Sequence, residues 1–258
     1  VMGWASSIPQ PLHYNMALDA LLGAGWNVLD AKEIAAHAWG GVTIPPKEEY
    51  TYYYHRVKAY QDKLHEYHVL GNEECECSEQ GLYGGAEDGA YNYIQLAHWY
   101  YASGNKAEAL KHLGYAIHFI QDSVCPPHVL PFSEHLSYTA HWAFEESTAD
   151  QNLGYGTIWN DWKSQVTNAP EEPIGSAEDL RRKVIAAANA IYNTFEPPPP
   201  GFGYRRQDGQ SIGDLSGTPF GWKMSNTDIG LCMKKAASLV KGAALYVRRA
   251  RVEHPYAD

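Results

Sequence analysis

Two histidine–carboxylate pairs carry the chemistry in this sequence. His118 and Asp122 are separated by three residues, as are His141 and Glu145. On a helix that spacing puts both side chains of a pair on one face, about one turn apart. His128 lies between the pairs, directly after Pro126-Pro127. Imidazoles and hard carboxylate oxygens are ligands that zinc accepts, and a carboxylate can bridge two ions. A single H-x3-D pair is more often a surface ion pair or a cap. Five such residues gathered between 118 and 145 favour a metal centre. His135 has Thr139 at its fourth position onward, a poor ligand, and His98, His112 and His254 have no comparable partner. These four read as ordinary histidines.

The elements that must position these groups are helical. Asn105 and Glu108 form an N-x-x-E capping pattern. Leu110, Leu113, Ile117, Ile120 and Val124 then recur at three- and four-residue steps, the apolar stripe of a helix. Pro126-Pro127 stops it. Further helices are expected over 15–25, ended by glycine, over 46–69, opened by Pro45-Pro46, and over 86–104, 138–151, 176–195 and 226–251. Residues 195–222 are a Pro/Gly-rich loop too long for a simple turn. Neither an internal repeat nor a domain boundary is visible. The expected architecture is all-α, a single-domain multi-helix bundle over 1–258 with the metal cluster between helices.

Composition narrows the function. With 258 residues, 45% hydrophobic and 19% charged, the chain can bury a full core and reads as globular. No apolar run approaches the roughly 20 residues that span a bilayer. The opening VMGWASSIPQ lacks a basic, then apolar, leader pattern, so no signal peptide is visible. Thirty acidic against twenty basic residues give a charge of −10, which argues against a duplex nucleic-acid binder. Bound cations could still supply the local positive charge that a phosphate substrate needs. The 19 Tyr and 8 Trp offer aromatic walls for a pocket. Cys75 and Cys77 do not have the C-x2-C zinc spacing; with Cys125 and Cys232 they fit either two disulfides or buried thiols.

The segment HFIQDSVCPPH (118–128) followed by HWAFE (141–145) resembles the zinc-dependent phospholipase C family of the alpha-toxin type. More distantly it is similar to the fungal single-strand-specific nucleases. The strong match covers about 86–146, including the approach GNKAEALKHLGYAIHF. The resemblance implies an all-α fold holding up to three zinc ions. It implies that His118 and Asp122 bind one ion of a close pair, Asp122 bridging to its partner. His128, His141 and Glu145 would bind another, and His13 and His68 would be the upstream histidine ligands. Asp122 and Glu145 are then the carboxylates nearest the chemistry. The family's upstream aspartate ligand has no match here: Asp62 stands too close to His68, and His55, better spaced, is a different residue type. The family's mature chain begins at a zinc-chelating tryptophan; Trp4 is its counterpart, so either Val1-Met2-Gly3 is removed, or the His13 metal is held without a terminal amine or is absent.

The implied reaction is hydrolysis of phosphatidylcholine-type phospholipids, at a membrane surface, to diacylglycerol and a phosphorylated headgroup by a zinc-activated water. Glu145 favours that branch, because the nucleases usually carry Asp there. A single-strand nuclease or 3′-nucleotidase is the alternative enzyme, and a metal-stabilised non-enzymatic binding protein the alternative without turnover, supported by the missing aspartate. The family is largely secreted, which favours an extracellular protein and the disulfides. Oligomeric state is not legible.

Overall fold

A computed structural model describes residues 12–39, 52–62, 81–129, 158–196, 205–206 and 226–250. Among these, the helices described over their full length follow in order: α1 Leu12–Gly23, α2 Val28–Trp39, α3 Ala86–Ala102, α4 Lys106–Ser123, α5 Pro126–Val129, α6 Ile158–Thr167, α7 Ala177–Thr194 and α8 Asn226–Arg248. The strand pairing among the described residues is one two-residue antiparallel ladder, Phe195–Glu196 against Arg205–Arg206. The fold is all-α.

Helix α4 is the centre of the assembly. It starts where the Asn105 side chain accepts the Glu108 N–H at 3.3 Å. From Leu113 to Ser123 every residue is buried, polar ones included. A helix hidden all round must be packed on several sides. Helix α3 lies along one side of it and α2 along another, with α8 also in contact. Two glycines make the close approaches possible. A Cβ on Gly114 would stand 2.4 Å from His37 Cβ and 2.7 Å from Ile34 O on α2. A Cβ on Gly89 of α3 would meet the Phe119 ring at 2.9 Å. Both are below any real carbon contact, so α4 reaches its neighbours only through these bare backbones.

Helix α1 ends as expected on glycine. Gly25 has φ +78°, and the Trp26 and Gly25 N–H groups return to Leu21 O and Leu22 O at 3.1 and 3.0 Å. That pair of bonds is the Schellman closure. Helix α2, not anticipated from the sequence, begins at Asn27, whose side chain accepts the Asp30 N–H at 3.0 Å. The signal Asn27-x-x-Asp30 was present. Helix α6 was likewise unanticipated, while α3, α4, α7 and α8 fall close to their expected spans.

The long helix expected over 46–69 is corrected. Residues 53–57 are non-helical, and the described residues 58–62 are helical again. The backbone there bonds outward instead: Tyr54 N–H to Gly84 O at 2.9 Å, Tyr83 N–H to Tyr52 O at 2.8 Å, and Ala86 N–H to Arg56 O at 2.8 Å. Pairing with the entry to α3 outcompetes helix propensity at this point. The disulfide expectation is corrected too. Cys232 is a buried free thiol, which leaves no room for two bridges among four cysteines. Burial raises its pKa. Cys75, Cys77 and the helix expected over 138–151 lie outside the described residues.

Candidate metal centre

Asp122 is the focus. It sits in the last turn of α4, fully buried. Its two carboxylate oxygens face different partners. Oδ1 is 3.1 Å from His13 Nε2, carried by the first turn of α1. Oδ2 is 3.1 Å from His118 Nε2, one turn back on α4, and 2.6 Å from His55 Nδ1, on the non-helical stretch 53–57. All three histidines are buried. The His13 and His118 rings stack with centroids 4.3 Å apart.

Second partners fix which ring nitrogen carries the proton. His118 Nδ1 lies 2.9 Å from Ala38 O on α2. A carbonyl only accepts, so Nδ1 donates and Nε2 presents a lone pair. For His13 the argument runs through Gln121. The Gln121 amide N–H donates to the His13 carbonyl at 3.2 Å, which turns Gln121 Oε1 toward His13 Nδ1 at 2.7 Å. Nδ1 therefore donates, and Nε2 again presents a lone pair. His128, on α5, donates from Nδ1 to the His55 carbonyl at 3.0 Å, leaving Nε2 as its lone-pair nitrogen.

Lone pairs of His13 and His118 thus point at carboxylate oxygens that are also acceptors. Two states remove the repulsion. Either the imidazoles are protonated, or a cation lies between them and the carboxylate. Burial pushes the pKa of His13 down, with the neighbouring His118 adding to the effect, so a neutral ring is favoured. Burial likewise holds His128 well below the ordinary imidazole range. For Asp122 burial opposes ionisation, but His118 and His13 outweigh it and hold its carboxyl well below the usual range. A metal requires an ionised carboxylate of Asp122 and a neutral ring of His13.

The spacing fits as well. Two ligands each about 2.1 Å from a tetrahedral zinc stand roughly 3.3 Å apart. The 3.1 Å separations from Asp122 to His13 and His118 match that edge, and the ligand atoms of His13, His118 and Asp122 all lie within 4.8 Å of one another. Asp122 faces one histidine through Oδ1 and two through Oδ2.

Of the residues expected at the site, the structure brings together His13, His118 and Asp122, with His128 beside them through His55. His68, His141 and Glu145 lie outside the described residues. Of the two candidates for the missing aspartate, Asp62 is on the surface, its side chain 55% exposed and paired with Lys58, whereas His55 is inside. Gln121 was not anticipated; its position directly before Asp122, buried on a helix, was the available signal. His98 stacks on Tyr246 and His112 bonds to Glu108 O at 2.7 Å, both away from the cluster.

No protein-family model matches the chain, and no curated protein matches it in sequence. Among solved structures, the fold is similar to the alpha toxin from Clostridium absonum, with a TM-score of 0.50 at 14% identity over 96% of this chain. The chain spans 60% of that toxin's length. At such identity the likeness is one of fold.

Proposed function

We propose that this chain is a zinc-dependent phosphodiesterase acting on phosphatidylcholine-type phospholipids. One observation carries the reading: a fully buried carboxylate, Asp122, engaged on both oxygens by buried imidazoles, two of which, His13 and His118, are oriented by acceptors on Nδ1. Such an arrangement is costly in an apolar interior unless a cation uses it. In this reading His13, His118 and Asp122 hold metal, Asp122 shared between two ions. His128 joins His141 and Glu145 on another, and His68 completes the upstream set. When bound, zinc lowers the pKa of a coordinated water to about 7 and offsets phosphate charge. The chain's own residues supply position: α2 and Gln121 lock the rings, and the packed helices keep bulk water from Asp122. Two carboxylates, Asp122 and Glu145, neutralise only part of the charge of up to three divalent ions. The surplus draws a phosphate to a protein whose total charge is −10.

The choice of phospholipid over nucleic acid rests on Glu145 and on the alpha-toxin-type pattern in 118–145. Secretion follows from the same resemblance. No described helix is long and apolar enough to cross a membrane.

The test pairs metal analysis with two substrates. Purified protein is expected to hold zinc, to release phosphorylated headgroup from phosphatidylcholine vesicles, and to cleave single-stranded DNA poorly. DNA cleavage without lipid hydrolysis moves it to the nuclease branch. Bound zinc with no turnover of either substrate, or of a simple aryl phosphodiester, makes it a metal-stabilised binding protein. Absence of zinc overturns the proposal.

A further inference from the structure

His55, the better spaced of the two residues near the expected aspartate, stands at the middle of the cluster. Three donor atoms, His55 Nδ1, His118 Nε2 and Asp122 Oδ2, form a triangle with edges of 2.6, 3.1 and 3.3 Å. The 3.1 and 3.3 Å edges are close to those of one face of a tetrahedral zinc polyhedron, about 3.3 Å, and the 2.6 Å edge, now of hydrogen-bond length, must lengthen as an ion enters. The His55 carbonyl meanwhile receives the Nδ1–H of His128. One residue therefore touches both groups of histidines, through its ring on one side and its backbone on the other.

The local structure explains how it reaches there. The chain is held away from helix at 53–57 by bonds to Gly84 and Ala86, and the Lys58 N–H is gripped by both Glu87 oxygens at 3.1 and 3.0 Å. The His55 ring lies on Phe119, centroids 5.4 Å apart at 27°. Phe119 in turn fills the space that Gly89 leaves open. A ring so restrained costs little further entropy on binding a metal.

We infer that His55 Nδ1 is a metal ligand on the Oδ2 side of Asp122, an imidazole where the resemblance leads one to expect a carboxylate. This rests on the metal-dependent reading above. A neutral ligand in place of an anionic one leaves that ion one unit more positive. It also makes the site richer in nitrogen, which favours zinc, cobalt and nickel over the hard ions magnesium and manganese.

The experiment measures metal rather than turnover. Full-length chain, His55→Ala, His55→Asn and His55→Asp are stripped, checked for fold by circular dichroism, and titrated with Zn²⁺, Co²⁺ and Mn²⁺. Replacing a partner that merely orients a ligand typically costs 10–100-fold in affinity. Loss of a ligand is expected to exceed this, by more than about 100-fold for one ion per chain, and to alter the visible spectrum of bound cobalt. His55→Asn can supply the hydrogen bond to Asp122 that a merely structural His55 would make but ligates poorly, so it is expected to behave like His55→Ala and decides the matter if the alanine variant does not fold. His55→Asp is expected to regain the ion with a shift toward Mn²⁺. Wild-type affinity and an unchanged cobalt spectrum in His55→Asn overturn the inference while leaving the metal site standing. Failure of the wild type to bind either ion removes the parent reading as well.

Discussion

Gln121 and Ala38 do the same work for two different histidines. Each places an acceptor on Nδ1, so that Nε2 faces Asp122 with a lone pair. Gln121 differs in being replaceable by mutation. Gln121→Leu keeps the volume roughly but removes the acceptor, freeing His13 to take the other tautomer or to be lost from the ligand set. The expected cost is 10–100-fold in zinc affinity, the usual range for an outer partner. Gln121→Glu keeps an acceptor on Nδ1 and is expected to retain tighter binding than Gln121→Leu. Competition against a chromophoric chelator reads both values. Equal affinity in wild type and Gln121→Leu would mean that Gln121 does not set the state of His13.

At the scale of elements, the site depends on how closely α2 approaches α4. Ala38 O can serve His118 only because Gly114 lets the two helices meet at His37 and Ile34. Gly→Ala inside an exposed helix normally stabilises by about 1 kcal/mol. Here the added Cβ would overlap backbone, and overpacking of that kind costs about 1–3 kcal/mol. The packing term wins, so Gly114→Ala is expected to be net destabilising in urea. It is also expected to weaken zinc binding, since α2 must move and Ala38 moves with it. A variant as stable as wild type, with unchanged zinc affinity, would show that the contact has slack.

For the whole molecule, the cluster draws side chains from α1, the stretch at 53–57, α4 and α5 into one buried place. A metal bound there ties together segments far apart in the chain, and binding energy becomes folding energy. At a thousandfold excess of ligand over Kd the gain is about 4 kcal/mol. For a chain of this size each kcal/mol moves Tm by about 2–4 °C. Chelation is therefore expected to lower Tm by on the order of 10 °C, and added zinc to restore it. A Tm indifferent to chelator and zinc alike would mean that no ion contributes to the fold.

How much was legible follows period and distance. Helix α4 could be read because its cap, its apolar stripe and its proline stop are all local signals. The His118–Asp122 pair came with it, since helical spacing fixes one-turn neighbours without any tertiary knowledge. His128 was nominated by its place between the two pairs and His13 by resemblance, and the structure sets His13 against Asp122 and His128 against His55. What the sequence could not supply is anything decided by contacts between distant segments. Residues 53–57 carry helix-compatible side chains, but their N–H and C=O groups find partners near Gly84 and Ala86, and this breaks the helix. That break turns His55 inward, 67 positions from Asp122, and leaves Asp62 outside. Gln121 shows the same limit, its role existing only because α1 brings His13 to it. Local chemistry wrote the helices and their ligand pairs; the shared carboxylate and the fixed ring tautomers arise only where four separate segments converge, because each needs a partner that no neighbouring residue can provide.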